Sequence, residues 1–330
     1  MSGVVALVLT VAALPALAAR AMGGRPPNPA PKLAALAPVA ALLAVAAVLV
    51  AATARWWLAL VLAAPAATLV AWQLPTSWRI SNGAAAVPSP APGAGPGPGP
   101  RALTLRVLTL NVQGGLADPT AVLRALRRHR ADVLAIQELT PGTVRQLADA
   151  GVTGRLPFCH LDPRPGSPGV GLWARWPLIP MAPVPGLMAA APRASIYPVD
   201  GRRVTLTAVH PLAPTRGQDY QWQRELALIR SALADVDGPQ VVAGDFNASR
   251  DHRPFRDLLA AGFLDCADAA RSRPWPGFTW PAGRGKVPVM RLDHVLVSRA
   301  GAVVLEARAV RVPGTDHRGV LAVIDLHPAG

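Results

Sequence analysis

The stretch from residue 241 to residue 247 combines a buried strand pattern with two polar groups. The apolar run 241–243 ends in Gly244 and is followed by Asp245 and Asn247. A short run rich in β-branched residues predicts a buried strand, and residues two apart on a strand point to the same side. An acid and an amide are costly to bury unpaired. Asp245 and Asn247 are therefore either ordinary turn residues or members of a site.

Polar residues also flank five other apolar strand patterns in the second part of the chain. They are Asn111, Glu138, His210, Asp293 and the pair Asp316-His317. Each is unremarkable alone, because Asn is common in turns and a lone His is usually structural or exposed. If the strands are neighbours, however, their polar ends converge on one rim that holds carboxylates, amides and imidazoles.

This combination of side chains suits metal-assisted hydrolysis of a phosphate ester. Glu138, with help from Asn111 and Asp316, offers hard oxygen ligands of the kind that Mg²⁺ or Mn²⁺ prefers. No thiolate or multi-histidine spacing typical of zinc is present. A divalent ion polarises a phosphoryl oxygen, and a histidine oriented by a carboxylate can accept a proton from attacking water.

The elements that position these residues alternate between strands and helices. Strands are expected at 103–110, 132–136, 169–173, 204–209, 241–243, 291–297 and 320–326, and helices at 119–129, 141–150, 222–233 and 254–261. Such an order predicts a layered α/β sandwich. It occupies the region 102–330.

The first 80 residues predict a membrane region. Three apolar runs, 1–19, 33–54 and 56–74, are each about long enough to cross a hydrocarbon core. The first run could instead be a cleavable signal peptide, and a soluble hydrophobic bundle is a third reading. The Pro/Gly/Ala-rich segment 81–101 cannot build a core and predicts an extended linker.

Charge is distributed unevenly along this chain of net charge +14. All 19 acidic residues follow residue 100. A positive balance favours polyanions such as nucleic acid or anionic lipid, although no dense basic run stands out. The three basic residues Arg20, Arg25 and Lys32 after the first run place that loop, and with it the C-terminal part, in the cytoplasm. Cys159 and Cys266 have no metal spacing and are either a disulfide or two thiols.

Five short motifs together resemble one superfamily. They lie at 109–114, 137–138, 244–247, 292–296 and 315–318, with the sequences TLNVQG, QE, GDFN, LDHVL and TDHR. In this order they resemble the endonuclease/exonuclease/phosphatase superfamily, the metal-dependent fold of deoxyribonuclease I, over about two-thirds of the chain. The resemblance implies a four-layer, two-sheet α/β sandwich with the site at one edge, preceded here by hydrophobic transmembrane helices.

The same resemblance assigns roles to individual residues. It implies that Glu138 is the main metal ligand, assisted by Asn111. Asp245 and Asn247 would serve the water, the phosphate and the leaving group. His317 would be the general base or contact the phosphate.

The remaining roles also come from the resemblance. Asp293 would orient His317, and Asp316 would lie near the metal. His210 stands where deoxyribonuclease-like and sphingomyelinase-like members carry a histidine and apurinic endonucleases tend to carry a tyrosine. This argues against abasic-site repair.

Local stretches such as GLWARWPL at 171–178 and FTWP at 278–281 are similar to a membrane-tethered bacterial subgroup. Its usual layout implies an extracellular catalytic domain on a multi-pass protein of the cell membrane, against the charge count above. The pair Asp251-His252 is either a substrate contact or loop and helix-cap chemistry. His294 should point away from the site, and Trp275 and Trp280 either pack or stack on a base or lipid.

The sequence thus predicts a membrane-anchored, Mg²⁺-dependent phosphoesterase, with Mn²⁺ as a possible substitute. A nuclease-like activity is favoured by the basic balance and His210. The alternative is a phospholipid or sphingomyelin-type phosphodiesterase or phosphatase, favoured by the membrane runs. A third reading is a non-catalytic protein that binds a phosphorylated partner. Expected partners are the phosphate-ester substrate, nucleic acid or phospholipid, and the membrane; no protein partner is inferred.

Overall fold

The computed structural model describes residues 2–24, 27, 29–53, 103–198, 201–215, 217–270 and 277–327. The expected third apolar run, 56–74, the linker 81–101 and Trp275 lie outside these residues. The described part of the C-terminal region contains twelve strands in two six-stranded sheets.

Sheet A has the strand order β11-β12-β1-β2-β4-β3. Its strands are β1 Leu103–Asn111, β2 Val133–Gln137, β3 Phe158–Asp162, β4 Val170–Ala174, β11 Ala302–Val310 and β12 Gly319–Leu326. Only β1 and β2 run parallel, and the other neighbours are antiparallel.

Sheet B has the order β5-β6-β7-β8-β10-β9. Its strands are β5 Ile179–Met181, β6 Arg193–Ile196, β7 Val204–Val209, β8 Gln240–Asp245, β9 Phe263–Asp265 and β10 Asp293–Ser298. Here β7 and β8 form the parallel pair. The residues from 241 to 245 therefore belong to β8, a central strand that is buried along its whole length.

Nine α-helices are described in total. They are α1 Ser2–Ala21, α2 Ala30–Ala35, α3 Ala37–Thr53, α4 Pro119–His129, α5 Pro141–Asp149, α6 Val152–Arg155, α7 Asp219–Ala234, α8 Arg253–Ala260 and α9 Cys266–Ala269. One apolar core lies between the sheets, a second beneath α4, and a third beneath α7 and α8. Burying both faces of each sheet gives four layers, which confirms the predicted two-sheet α/β sandwich.

Helix α4 shows how local sequence sets an element. The side chain of Asp118 accepts from the backbone amides of Thr120 and Ala121, which caps the first turn. Pro119 occupies the first helical position, where its missing N–H costs nothing. The helix ends as Arg130 enters the left-handed region with φ of 50°. The prediction for this helix was correct at both ends.

One edge of the sandwich gathers six strand termini. The parallel pairs β1/β2 and β7/β8 end at this edge. Strand β10 is antiparallel to β8 and pairs Asp293 with Asp245, so β10 begins there. Strand β12 is antiparallel to β1 and likewise begins there. This edge is called the rim below.

The N-terminal helices form a hairpin in which α1 packs against α2 and α3. Within the described residues, α1 is the one helix long and apolar enough to cross a membrane, a property that signal sequences and buried helices share. The second predicted run, 33–54, is interrupted at Leu36, between α2 and α3. At 17 residues, α3 rises about 26 Å, which is short of a typical hydrocarbon core of about 30 Å.

Candidate functional site

Asp245 is the last residue of β8 and lies at the centre of the rim. Its Oδ1 accepts from the backbone amide of Asn247 at 2.8 Å. Its Oδ2 accepts from Asn111 Nδ2 at 3.0 Å and lies 3.7 Å from the Nε2 atoms of both His210 and His317. The carboxylate is 1% exposed. One buried group therefore joins residues from four separate strand ends.

Gly244 allows β8 to reach this position. A Cβ built on Gly244 would lie 2.0 Å from the carbonyl oxygen of Val209, the residue that pairs with it on β7. Any side chain would force the two parallel strands apart at the rim. The glycine before Asp245 is thus required by close backbone approach.

Asn111, at the end of β1, bridges two carboxylates across the rim. Its Nδ2 donates to Glu138 Oε1 at 3.1 Å as well as to Asp245 Oδ2. Its Oδ1 accepts from the Gln113 amide at 2.9 Å, which orients the side chain. Glu138 is half-buried and is thus more accessible to solvent than Asp245.

His317 and Asp293 form a buried pair beside Asp245. His317 Nδ1 donates to Asp293 Oδ2 at 2.8 Å. Burial alone would lower the pKa of His317, but Asp293 and Asp245 outweigh it and raise the pKa to about 10. Burial raises the pKa of Asp293, although His317 opposes this effect. In this arrangement His317 carries its proton at neutral pH.

His210 and Asn247 complete the rim on the sheet B side. His210 Nδ1 lies 3.1 Å from the Ser167 carbonyl, which can only accept, so Nδ1 is protonated and Nε2 faces Asp245. Asn247 donates from Nδ2 to the Pro211 carbonyl at 3.0 Å. Both side chains are held by backbone groups of neighbouring loops.

Strained backbone marks the rim. Glu138 and Asn247 have positive φ values of 58° and 48°, as does Gln113 with 50°. Non-glycine residues seldom adopt this region, and such strain concentrates at functional sites. Strand β8 ends at Asp245 and the chain turns at Asn247, so the two residues are not neighbours on one strand.

Asp316 contacts Trp280 and Gln113. Its Oδ2 accepts from Trp280 Nε1 at 3.3 Å, and its backbone amide donates to Gln113 Oε1. The carboxylate is thus oriented towards the indole, whereas Asn111 bridges Glu138 and Asp245.

Several supporting residues were not singled out from the sequence. Thr279 is fully buried, and its Oγ1 accepts from the amides of Leu292 and Asp293. Thr315 Oγ1 donates to the Asn111 carbonyl at 2.7 Å. Both residues lie inside quoted motifs, FTWP and TDHR, and this membership was the available signal.

His294 points away from the site, as expected. Nδ1 lies 2.9 Å from Asp265 Oδ2, and Nε2 lies 2.9 Å from the Ala248 carbonyl. Both partners are acceptors, so both ring nitrogens donate. Burial would raise the pKa of Asp265, but Arg291 and His294 hold it well below its usual value. The imidazole thus anchors the loop that follows β8.

Two sets of donors could hold a cation. Ligand atoms of Asp245, Asp293 and His317 lie within 4.8 Å of one another. A proton already joins Asp293 to His317, however, and a cation would compete with it. The carboxylates of Glu138 and Asp245 instead both accept from the side-chain amide of Asn111. The Asn111 oxygen accepts one hydrogen bond from the Gln113 amide and has a second lone pair available for a cation. These oxygen donors fit a hard divalent ion better.

The family profile described as "Endonuclease/Exonuclease/phosphatase family" matches residues 108–317. The chain belongs to this family. The matched range begins in β1 and includes every residue of the rim described above. No curated protein matches the sequence.

Several solved structures share the fold. D. rerio TDP2 complexed with single-strand DNA product has a TM-score of 0.54 at 18% identity, covering 67% of this chain and 98% of that one. A functionally unknown conserved protein from Enterococcus faecalis V583 has a TM-score of 0.54 at 17% identity, covering 68% and 100%. A family protein from Bacteroides thetaiotaomicron has a TM-score of 0.54 at 13% identity, covering 69% and 100%.

Proposed function

We propose that this protein is a membrane-anchored, divalent-metal-dependent phosphoesterase that hydrolyses phosphodiester bonds. The observation that carries the proposal is that Asn111, His210 and His317 all face the Asp245 carboxylate. The side-chain amide of Asn111 also donates to Glu138. Family membership supports hydrolysis of phosphate esters. Mg²⁺ is the proposed ion, with Mn²⁺ as a substitute.

Glu138 would hold the ion, with Asp245 and the Asn111 oxygen beside it. Asp316 would not contact the ion and would keep its hydrogen bond to Trp280. When bound, the ion polarises a phosphoryl oxygen and offsets the negative charge of the phosphate. The proposed ligand set differs from the sequence expectation in giving Asp245 a place beside the metal and Asp316 none.

The histidines supply proton chemistry beside Asp245 Oδ2, the oxygen that also accepts from Asn111. His317, protonated and held by Asp293, donates from Nε2 to a phosphate oxygen or to the leaving group. His210 directs Nε2 towards Asp245, and this nitrogen is the proposed acceptor of a proton from attacking water. Asn247, fixed by Pro211, positions the phosphate. Of the two roles expected for His317 from the sequence, base or phosphate contact, this division keeps the second and gives the role of base to His210.

A nucleic-acid substrate is the first choice. The net charge of +14 favours a polyanion, and a neighbour with the same fold is complexed with single-strand DNA product. A phospholipid substrate is the second candidate, because α1 is an apolar helix that could hold the site near a bilayer. The proposed layout is a membrane region 1–80, a linker 81–101 and a catalytic domain 102–330.

The test is hydrolysis by the full-length protein of DNA, RNA and phospholipid substrates, with and without EDTA. We expect activity on at least one substrate that EDTA abolishes and Mg²⁺ restores. Glu138→Ala should remove it, whereas Glu306→Gln, on β11 and paired with Arg308, should not. Activity that survives Glu138→Ala would refute the metal assignment. No hydrolysis of any substrate would favour the non-catalytic binding protein.

A further inference from the structure

The end of α1, the glycines that follow it and the start of α2 contact three consecutive residues that follow β8. The Arg20 side chain pairs with the Asp251 carboxylate. His252 Nε2 lies 2.7 Å from the Pro31 carbonyl, and the Arg253 amide donates to the Gly23 carbonyl at 2.6 Å. Residues 251–253 are called the hairpin seat below.

Two residues of the hairpin seat, Asp251 and His252, are buried, whereas Arg253 is exposed. Asp251 is 3% and His252 is 1% exposed. His252 occupies the N-cap position of α8 but makes no side-chain cap hydrogen bond. It therefore neither caps the helix nor faces the rim. Of the sequence-based readings of this pair, the loop role agrees with the hydrogen bonds to Ser249, and the contact with the hairpin is additional.

His252 connects the start of α2 to the loop that carries Asn247. The Ser249 amide donates to His252 Nδ1 at 2.8 Å, so Nε2 bears the proton and donates to Pro31. Burial lowers the pKa of His252, which keeps the ring neutral in agreement with this tautomer. Ser249 is two residues from Asn247, and His294 holds the intervening Ala248 carbonyl. The loop is thus fixed from the core by His294 and from the hairpin by His252.

Gly24 shows how closely the surfaces fit. Its φ is 57°, and a Cβ there would lie 2.6 Å from the Ala34 Cβ and 2.9 Å from His252 Cδ2. No side chain can be accommodated without displacing one of the two. The contact is therefore specific packing in addition to an ion pair.

The hairpin extends from the rim side of the molecule. The seat follows the rim end of β8, and α1 ends at Ala21, so its 20 residues lead away from the seat. Large apolar side chains on its surface are exposed; examples are Val4, Val8 and Val11. The helix bears no charge before Arg20. Lipid is the surrounding that suits such a surface.

We propose that the end of α1, with Gly23, Gly24 and the start of α2, is a docking element that locks the loop after β8, with His252 as a positioning residue, and that it holds the rim towards the bilayer containing α1. The docking contact rests on the hydrogen bonds and packing described above and on no catalytic activity. Its effect on catalysis rests on the proposed function.

Hydrogen exchange on the full-length protein in lipid nanodiscs tests the docking without requiring activity. Gly24→Ala should raise exchange of the 249–253 amides at least about tenfold, while amides of β1 and β8 stay protected and report that the fold is intact. Gly201→Ala is the matched control, because Gly201 also has positive φ but open space around it. Arg20→Gln should act like Gly24→Ala. Unchanged exchange in both variants would overturn the docking.

A lipid-quenching measurement tests the orientation. In a Cys159→Ser background, a fluorophore is attached to Leu116→Cys, which follows β1 at the rim and is exposed, or to Asp237→Cys, exposed before the start of β8. Nitroxide lipids should quench the label at 116 at least twofold more than the label at 237. Equal quenching would overturn the orientation. If hydrolysis is found, His252→Gln should lower kcat by a larger factor than it changes KM. If no hydrolysis is found, only the proposed function fails, and the docking is still tested by hydrogen exchange.

Discussion

Asp245 divides its two carboxylate oxygens between two tasks. Oδ1 fixes the turn at Asn247 through a backbone amide, and Oδ2 faces Asn111 and the two rim histidines. A single buried acid thereby sets both the shape of the loop and the charge of the site. The raised pKa of His317 is one outcome of that charge.

Asp293 and His317 should behave as one unit in catalysis. Asp293→Asn removes the carboxylate that orients Nδ1, and His317→Gln removes the imidazole. We expect each single change to lower kcat by about 10²–10⁴-fold, the usual contribution of acid–base groups. The double variant should be scarcely worse than either one, because groups that act together are non-additive. Losses that multiply in a double-mutant cycle would contradict the pairing.

At the scale of elements, the sequence indicated which strands carry polar ends but not how they meet. The prediction for β8 rested on its apolar run, and Asp245 followed directly. Asp293 and His317 are different, because Asp293 begins β10 and His317 lies two residues before β12. They reach the rim only because those strands run antiparallel to β8 and β1. Strand direction depends on pairing across the sheet, which local pattern does not encode.

Short or edge strands were missed for a related reason. Strands β5 and β9 have three residues each, too few to show alternation. Edge strand β11 includes a register shift, which interrupts the period of two. The hairpin seat could not be foreseen either, since its partners Arg20 and Asp251 are 231 residues apart.

Thr279 should matter more to stability than its position in a loop implies. Thr279→Val keeps the shape but leaves the amides of Leu292 and Asp293 without an acceptor, so we expect a loss of about 1–3 kcal/mol in the free energy of unfolding. Thr205→Val is the matched control, because the Thr205 hydroxyl is buried without a partner among the described residues. Denaturant unfolding measures both. Equal effects would refute the proposed support of β10.

The contact between the hairpin and its seat should weaken in acid. Burial lowers the pKa of His252 below its usual 6.5, with Asp251 opposing and Arg256 reinforcing the shift. A histidine with a lowered folded-state pKa stabilises the contact fully above pH 6.5 and loses this effect as pH falls below it. Protonation of Nδ1 would also oppose the Ser249 amide.

We therefore expect faster hydrogen exchange at residues 249–253 at pH 5.5 than at pH 7.5, after correction for intrinsic rates. Arg20, which pairs with Asp251, keeps its charge over this range and does not contribute. In His252→Gln the difference between the two pH values should disappear. A pH response that persists in this variant would assign the effect to another group.

For the whole molecule, the proposed membrane anchoring and the docking contact together place the end of α1 and the catalytic part on the same side of the membrane. The basic residues near the end of α1 favour the cytoplasm, whereas the subgroup resemblance stated from the sequence implies an extracellular domain, which is the layout we propose. Protease added to intact cells should therefore digest a tag at the C-terminus. Resistance of the tag would place both parts in the cytoplasm. Mass spectrometry of the mature protein would also show whether the first run is removed.

The rim contains residues of both sheets, so an ion bound there would crosslink the two sheets. Glu138 and Asn111 come from sheet A, and Asp245 from sheet B. An ion that binds only the folded state stabilises it by about 2.7 kcal/mol at a hundred times its Kd. For a domain of this size that corresponds to about 5–10 °C in Tm. Melting curves with and without Mg²⁺ should show this rise in the wild type and not in Glu138→Ala. The melting temperature thus becomes a measure of ion occupancy that requires no substrate.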